Sequence, residues 1–374
     1  MSMEKNRIDR VRKLLIDREI DTLLVLVDAN RRYLSGFTPD DMQIEESSGA
    51  LLITADRLIL ATDGRYDIQA RQEAPLFEVV VYREGLAKEL PGLMQALKTV
   101  RLGFESTHVS FSQYRKFKEA LTKAKSKVEL VPTEDFAEQL RLVKTQDEID
   151  RTGAAVMLAE QVFLQVIITM SPGMTEKEVA WAMEKGMREA GAEQLAFPVI
   201  IASGPNSALP HAVPGDRAIK SGEPVLFDWG ARLNGYCSDI SRTIVLGQPD
   251  ETFLKVHQTV LEAQQRAIEA IKAGANTKSI DALARKHIED QGFQGKFNHS
   301  LGHGTGLVVH EGPRLGPVKD SILQSGMIVT VEPGIYLPGW GGVRIENQVV
   351  VESNGSRVLN RLRTSFRIED LIND

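Results

Sequence analysis

Three short motifs in the second half of the chain carry side chains of the kind that bind metal ions. Asp228 and Asp239 lie in VLFDWGARLNGYCSDISRT, His303 lies in SLGHGTGLVVHEGP, and Glu332 and Glu346 lie in VTVEPGIYLPGWGGVRIENQ. Four carboxylates and one imidazole suit a pair of hard or borderline divalent cations, whereas a metal that prefers thiolates would need cysteines. Four negative charges would balance two M²⁺ ions and leave a bridging hydroxide as the nucleophile.

A hairpin turn at residues 234–235 (Asn-Gly) would place both aspartates on one face of a sheet. Asn-Gly is a strong signal for a two-residue turn between strands. With that turn, Asp228 lies opposite Ser241 and Asp239 lies opposite Gly230. The aspartates are then diagonal neighbours about 7–8 Å apart at Cα, so they could share two metal ions about 3.5–4 Å apart.

Two further strands are predicted to carry the glutamates. Residues 327–332 and 343–346 have the apolar pattern of strands joined by a Gly/Pro-rich loop, with Glu332 and Glu346 near their ends. A carboxylate in a strand usually lies on a solvated face, and a lone histidine is more often packed than metal-bound. Burying so many uncompensated charges would, however, be costly unless they met a cation. The combined pattern therefore favours a metal site.

These motifs resemble those of the creatinase/methionine aminopeptidase superfamily, the "pita-bread" metallopeptidases, and above all its Xaa-Pro dipeptidase (prolidase) and aminopeptidase P branch. The resemblance extends over essentially the whole chain. It implies that the five motif residues bind two divalent ions per subunit, Mn²⁺ before Co²⁺, Zn²⁺ or Fe²⁺. It also implies hydrolysis of Xaa-Pro bonds, chiefly in dipeptides, by a hydroxide that bridges the ions, and a homodimeric assembly.

Three side chains match residues that act directly on the substrate in this family. At the position of Glu332, the family's glutamate also carries a proton from the water to the leaving nitrogen. His211, in SGPNSALPHAVP, and His310, in HEGPR, match histidines that contact the substrate and stabilise the tetrahedral intermediate. This is sound chemistry, because a developing oxyanion needs hydrogen-bond donors. The alternative for His211 is a hydrogen bond that caps its loop.

Two arginines are candidates for substrate binding. Arg314 matches an arginine that some prolidases use against the free carboxylate of a dipeptide, a task that suits the bidentate guanidinium. The alternative is an ordinary surface arginine. Arg344 lies two residues before Glu346 and is predicted to point into the site. There it could pair with Glu346 or Asp239 and orient a metal ligand, which is the role we favour.

The elements that must position these residues form two domains. Residues 1–132 alternate strands with helices, which predicts an α/β domain of the creatinase type. Residues 133–374 are predicted to form an α+β catalytic domain in which helices pack on an antiparallel sheet that bears the site. A capping box at 145–148 is predicted to open a helix that runs to about residue 169, and a Thr-Lys-Glu pattern at 175–178 caps another.

Composition excludes several other classes of protein. The chain has 374 residues, 42% of them hydrophobic and 26% charged, with a net charge of −6, so it lacks the basic footprint of a nucleic-acid-binding protein. No apolar run approaches the ~20 residues of a membrane span, and the N-terminus lacks the apolar region of a secretory signal. The single cysteine, Cys237, fits a reducing cytoplasm. Three histidines outside the motifs, His108, His257 and His287, are predicted to lie on the surface.

Other functions on the same scaffold remain open at this point. Creatinase acts without metal, and the complete ligand set argues against it. Methionine aminopeptidase lacks this type of N-terminal domain. A hydrolase of a non-peptide amide is possible, as is a binding module without activity, although such modules have lost ligands that this chain keeps. The sequence does not separate dipeptidase from aminopeptidase P, apart from the weight that Arg314 gives to the former.

Overall fold

The computed structural model describes residues 3–41 and 47–372 of the chain. It divides into two compact units, Met1–Arg141 and Leu142–Asp374. The first, the N-terminal unit, is an α/β structure, and the second, the C-terminal unit, combines helices with antiparallel strands. The predicted fold class of each part is therefore confirmed.

The N-terminal unit is built on one six-stranded sheet in the order β4-β3-β2-β1-β5-β6. Only β2 runs antiparallel to the other strands. The helices are α1 Met3–Asp17, α2 Asp28–Ser35, α3 Asp67–Glu73, α4 Leu86–Leu97, α5 Phe111–Lys123 and α6 Glu138–Arg141, and the strands are β1 Thr22–Val25, β2 Ala50–Thr54, β3 Leu58–Asp63, β4 Glu78–Tyr82, β5 Arg101–Glu105 and β6 Glu129–Thr133.

The N-terminal unit ends later than the sequence suggested. Pro132 was expected to close this domain, but it lies inside β6, and the short helix α6 still belongs to the unit. Tyr33 donates its hydroxyl hydrogen to the Leu140 carbonyl (2.9 Å), and Arg141 donates to Asn30 (2.7 Å). These contacts tie α6 to α2, a short helix that the sequence reasoning had not identified.

The C-terminal unit contains five helices and four antiparallel sheets among its described residues. Helices α7 and α8 pack with β8, β9 and β12 in one apolar core, and α9 and α10 pack with β14 to β18 in a second. The elements are α7 Gln146–Thr169, α8 Glu176–Glu189, α9 Glu251–Ala270, α10 Thr277–Asp290, α11 Ile368–Ile372, a 3₁₀ turn Gly204–Ala208, β7 Gln194–Leu195, β8 Ile200–Ser203, β9 Pro224–Trp229, β10 Ala231–Leu233, β11 Tyr236–Cys237, β12 Ile240–Val245, β13 Gly302–Gly304, β14 Glu311–Leu315, β15 Ile328–Val331, β16 Gly334–Leu337, β17 Gly341–Arg344, β18 Asn347–Val351 and β19 Ser356–Val358.

Helix α7 begins at the predicted capping box. The Thr145 side chain accepts from the Glu148 backbone N–H, and the Glu148 carboxylate accepts from the Thr145 backbone N–H. The second box, between Thr175 and Glu178, opens α8 in the same way. Among the described helices, α7 alone is long and apolar enough to cross a membrane. Since 56% of its most apolar stretch is buried, it has the character of a core helix of this unit.

The predicted hairpin register is confirmed on both sides of the turn. Asn234 and Gly235 both have positive φ (49° and 84°), as a tight turn of this kind requires. Asp228 lies opposite Ser241 in the β9–β12 pair, and Arg232 lies opposite Cys237 in the β10–β11 pair. The sheet breaks between these pairs, so Asp239 lies between β11 and β12.

The strands near the glutamates differ from the prediction. The expected loop between them contains β16, which pairs with β17, and β15 pairs with β18 instead. The Gly and Pro residues had suggested a loop, yet Ile335 of β16 is fully buried in the second core, which stabilises the strand. Glu332 follows β15, and Glu346 lies between β17 and β18. Each glutamate is thus near a strand end, as predicted.

We expect the packing of α7 on β9 to dominate the stability of the C-terminal unit. Trp229 stacks on Phe163 with ring centroids 4.4 Å apart, and its indole N–H donates to the Ala159 carbonyl (2.9 Å). Phe163→Ala should lower the free energy of unfolding by about 3–5 kcal/mol, because it leaves a cavity. Ile168→Ala, at an exposed position of α7, should change it by less than about 0.5 kcal/mol.

Urea unfolding followed by tryptophan fluorescence measures this difference selectively. All three tryptophans of the chain, Trp181, Trp229 and Trp340, lie in the C-terminal unit. Equal effects of the two substitutions on the unfolding midpoint would contradict the role given to this contact.

Candidate metal centre

The hairpin of β9 and β12 supplies the two aspartates. Asp228 projects from β9, and Asp239 is 5% exposed in the break before β12. The Asp239 backbone N–H donates to the Gln348 side-chain oxygen (3.0 Å), which fixes the chain at the break. Gln348 itself donates to the Thr305 hydroxyl (2.7 Å).

His303 on β13 faces two of the acidic groups. Its Nε2 lies 3.5 Å from Asp239 Oδ2 and 3.4 Å from Glu332 Oε1. Its Nδ1 lies 3.0 Å from the Gly304 carbonyl oxygen, so the ring proton belongs on Nδ1 and the Nε2 lone pair faces the carboxylates. Burial lowers the pKa of His303 to about 3, which keeps it in the neutral form that binds metals.

Thr330 couples His303 to Glu332. The Thr330 hydroxyl accepts from the His303 backbone N–H (3.0 Å) and donates to Glu332 Oε1 (3.1 Å). Gly302 allows β13 to approach this close, because a Cβ there would lie 2.0 Å from the Thr330 carbonyl oxygen. The positions of the imidazole and the carboxylate therefore depend on one hydroxyl and one glycine.

Glu346 and Asp228 are joined through Ser241 and Arg344. The Ser241 hydroxyl donates to Glu346 Oε2 (2.8 Å) and accepts from Arg344 Nε (2.8 Å). Arg344 also donates to Asp228 Oδ2 (2.7 Å) and to the Tyr336 hydroxyl (2.9 Å). These hydrogen bonds fix the orientations of the Glu346 and Asp228 carboxylates.

The acidic groups strongly disfavour one another's charge. Burial, together with repulsion from the other carboxylates, raises the pKa of Asp239 and of Glu346 well above their usual values. Burial also raises the pKa of Glu332 to about 8, although Arg344 opposes the rise. The pKa of Asp228 is raised for the same reason and is likewise held back by Arg344. Protons and cations must therefore compete for this cluster.

The donor set fits a divalent cation. Ligand atoms of the buried residues Asp239, His303 and Glu346 all lie within 4.8 Å of one another. Asp228 Oδ1 is buried without a hydrogen-bond partner in the described part of the chain, although its other oxygen is bound by Arg344. A buried carboxylate oxygen left without a donor is costly unless a cation meets it. The arrangement is that of a divalent-metal site.

A cavity of about 610 Å³ opens onto this cluster. It is of the size that encloses a small ligand. Every side chain that the sequence singled out for metal or substrate lines it, namely Asp228, Asp239, His303, Glu332, Glu346, His211, His310, Arg314 and Arg344. Its far wall is mainly apolar and is formed by residues 197–200 and 212–214.

Three of the four substrate-binding candidates, His211, His310 and Arg314, lie near one another in the cavity. His310 packs edge-on against His303, with ring centroids 4.4 Å apart. Arg314, on β14, lies opposite His303 in the strand register, and its exposed side chain makes no ion pair with any described residue. Burial is the main cause that lowers the pKa of His310, and the nearby side chains of Arg314 and His211 lower it further.

Arg344 reaches the site, but its partner differs from those expected. The sequence suggested Glu346 or Asp239, whereas the guanidinium binds Asp228 and touches Glu346 only through Ser241. The reason is the strand order: β17 ends at Arg344, so the chain turns before Glu346 and the two side chains no longer share a strand face. Arg344 is 3% exposed and fully engaged inside the protein, which suits a positioning role.

Sequence reasoning missed a group of residues that support the centre. His299 lines the cavity, and its Nε2 lies 2.9 Å from the Tyr336 hydroxyl, which in turn accepts from Arg344. Gln348, which accepts from the Asp239 backbone N–H, was not singled out in the sequence. Tyr336 lies in the stretch assigned to a loop, so no strand pattern pointed to it. The apolar wall residue Phe197 carries no chemical signature at all.

Two histidines predicted to lie on the surface are buried. His257 packs between Phe253 and Phe366, with ring centroids 5.7 and 5.0 Å away, and burial lowers its pKa to about 4. His287 lies 3.1 Å from Glu262 on the neighbouring helix. His257 therefore faces the segment that contains Phe366, and His287 faces α9, so the position of each residue on its helix outweighs its polarity.

Comparison with known proteins assigns both units. Residues 150–353 match Metallopeptidase family M24, and residues 7–143 match the Creatinase/Prolidase N-terminal domain. The chain is 38% identical to the Xaa-Pro dipeptidase of Pyrococcus furiosus over 359 residues, which is 96% of this chain and 98% of that protein.

Solved structures agree with this assignment. The Xaa-Pro dipeptidase from Bacillus anthracis superimposes with a TM-score of 0.91 at 38% identity, covering 97% of this chain and 99% of the other. The X-Pro aminopeptidase from Thermotoga maritima MSB8 gives a TM-score of 0.86, also at 38% identity, covering 96% and 99%. The motifs of the present chain, its two-domain pita-bread architecture and these matches together show that the chain belongs to metallopeptidase family M24 and carries a creatinase/prolidase N-terminal domain.

Proposed function

We propose that this chain is a metal-dependent exopeptidase that hydrolyses the bond between an N-terminal residue and proline, preferentially in dipeptides. The observation that carries the proposal is the cavity, where an acidic cluster suited to cations meets Arg314, a cation with no partner among the described residues. A dipeptide presents its scissile carbonyl to the metal ions of the acidic cluster and its C-terminal carboxylate to Arg314.

Two divalent ions, Mn²⁺ by preference, would be held by Asp228, Asp239, His303, Glu332 and Glu346. When bound, they would supply Lewis acidity and lower the pKa of a water from ~15.7 towards 7. Oxygen-rich ligation with one imidazole favours Mn²⁺ over metals that seek sulfur, although Co²⁺, Zn²⁺ and Fe²⁺ suit the same donors. Four carboxylates offset the charge of two cations, and this balance supports two ions over one.

Glu332 is placed to move the proton that hydrolysis must transfer. The attacking water loses a proton, and the nitrogen of proline must gain one as the C–N bond breaks. Glu332 has a raised pKa of about 8, lies on the cavity and is oriented by Thr330. A carboxylate beside the reacting atoms can accept the proton from the water and pass it on to the leaving nitrogen.

His211 and His310 act on the scissile carbonyl in this proposal. Both side chains are exposed on the cavity wall near the acidic cluster, and imidazole N–H groups there can donate to the oxygen as it gains negative charge. Arg314 binds the carboxylate of proline, since a guanidinium forms two parallel hydrogen bonds with such a group. Arg344 contributes by orienting Asp228.

Xaa-Pro aminopeptidase activity on longer peptides is the second candidate. It is favoured by the likeness to the Thermotoga maritima X-Pro aminopeptidase, whose identity to this chain equals that of the Bacillus anthracis dipeptidase. The homodimer implied by the family resemblance and the cytoplasmic location suggested by the single cysteine stay predictions.

Hydrolysis of Leu-Pro and of Leu-Pro-Ala by Mn²⁺-loaded protein tests the proposal. We expect Leu-Pro to be cleaved with the higher kcat/KM, because only the dipeptide places a carboxylate within reach of Arg314. Mass spectrometry of the products identifies the bond that breaks. Faster release of Leu from the tripeptide would favour the aminopeptidase, and cleavage of neither peptide would contradict the proposed function.

Asp239→Asn should reduce turnover of Leu-Pro at least about 100-fold and lower the bound metal measured by elemental analysis, because an amide cannot replace the ligand's charge. The far-UV circular dichroism spectrum should not change. Asp290→Asn, on the exposed end of α10, is the matched control and should retain both activity and metal. Wild-type activity in Asp239→Asn would refute its assignment as a ligand.

Arg314→Ala should raise KM for Leu-Pro about 10- to 100-fold, because a charge-assisted contact with a carboxylate is worth about 1.5–3 kcal/mol. KM for Leu-Pro-Ala and the metal content should change little. Arg357→Ala, an exposed arginine elsewhere in the same unit, serves as the control in steady-state assays. An equal rise in KM for both peptides would remove Arg314 from the carboxylate-binding role.

A further inference from the structure

The N-terminal unit has the strand topology at which α/β sheets bind ligands. From β1 the chain builds β2, β3 and β4 on one side, then crosses to place β5 and β6 on the other. Because β1, β3, β4 and β5 run in the same direction, their carboxyl ends all lie at the same end of the sheet, perpendicular to its edge strands. Ligands of open α/β sheets bind in the crevice at such a reversal of strand order.

A cavity of about 390 Å³ lies at this end of the sheet and is formed entirely by the N-terminal unit. Its floor is apolar, with Leu26 after β1, Leu86 at the start of α4 and Phe117 in α5. Its rim is polar and includes the Asp63-Gly-Arg65 stretch that follows β3. The metal centre lies wholly in the other unit, so this cavity is separate from it.

The first turns of two helices line the cavity. Gly85 precedes α4 and supplies no side-chain cap, and Ser110 caps α5 by accepting from the Gln113 N–H. The remaining N–H groups of each first turn and the helix dipoles favour a negatively charged group at this place.

The charged side chains add to that preference. Asp63 is paired with Arg65 (2.9 Å), and Glu84 is paired with Lys88 on the first turns of α4. Lys116, on α5, makes no ion pair with any residue in the ranges 3–41 and 47–372. Its charge is therefore the one that the cavity leaves uncompensated.

Tyr82 presents to the cavity a hydroxyl that has no hydrogen-bond partner among the described residues. It ends β4, is 8% exposed and lines the cavity. The Tyr82 hydroxyl is not fully enclosed by protein, so it remains accessible from the cavity. A nearly buried hydroxyl without a partner is unfavourable unless a ligand or water supplies one.

We propose that the N-terminal unit binds a small amphiphilic anion in this cavity. The carboxylate or phosphate of the ligand lies at the first turns of α4 and α5 beside Lys116, and its apolar body packs on Leu26, Leu86 and Phe117. Tyr82 hydrogen-bonds the ligand from below. This site is independent of the peptidase proposal, because none of its residues contributes to the metal centre.

Isothermal titration calorimetry of the full chain with phenyl phosphate tests the site. Benzoate, which carries a carboxylate in place of the phosphate on the same aromatic ring, is the second probe. Lys116→Gln should weaken binding about tenfold, the loss of a charge-assisted contact, and Tyr82→Phe should weaken it about fivefold, the loss of one hydrogen bond. Lys118→Gln, an exposed lysine of α5 outside the cavity, should bind as the wild type does.

Three further measurements decide between this site and other sources of affinity. Inorganic phosphate and benzyl alcohol each lack one half of the ligand and should bind much more weakly than phenyl phosphate. Phenyl phosphate should still bind to the Asp239→Asn variant, because that substitution weakens the metal centre and leaves the proposed anion site intact. Absence of binding, equal affinity for inorganic phosphate, or unchanged affinity in both Lys116→Gln and Tyr82→Phe would overturn the proposal.

Discussion

The mutual repulsion of buried carboxylates is the constraint on which the C-terminal unit depends. Burial raises the pKa of Asp228, Asp239, Glu332 and Glu346, and neighbouring carboxylates raise it further for the last three. The hairpin brings the two aspartates together, whereas the glutamates come from distant strands. Such an arrangement costs stability in the absence of cations. The surrounding hydrogen bonds have to resist it, and they explain why so many polar side chains are buried here.

The supporting groups divide the work between charge and geometry. Within residues 3–41 and 47–372, Arg344 is the one cation that forms an ion pair with an aspartate of the cluster, and it offsets part of the charge at Asp228. Ser241, Thr330 and Gln348 carry no charge and instead fix the direction of an acid or of its backbone. Neutral donors leave the negative potential available to metal ions, whereas further arginines would cancel it.

The chemistry was predictable from the sequence because it resides in residue types and local spacing. The Asn-Gly turn determined the register that placed Asp228 opposite Ser241, and the capping boxes located the starts of α7 and α8. Long-range partners were less accessible. Arg344 binds Asp228 because β16 pairs with β17, and no local pattern distinguishes a short strand within a Gly/Pro-rich stretch, such as β16, from a loop.

The separation of the site residues along the chain has a consequence for folding kinetics. The bonds from Ser241 to Glu346 and from Arg344 to Asp228 close loops of 105 and 116 residues. Such contacts form slowly, after local helices and hairpins. The glutamates are therefore separated from the aspartate hairpin and hydrated while the chain collapses, and they join it only in the later steps. Cations that bind the assembled cluster act on the native state alone, so they should slow unfolding far more than they speed folding.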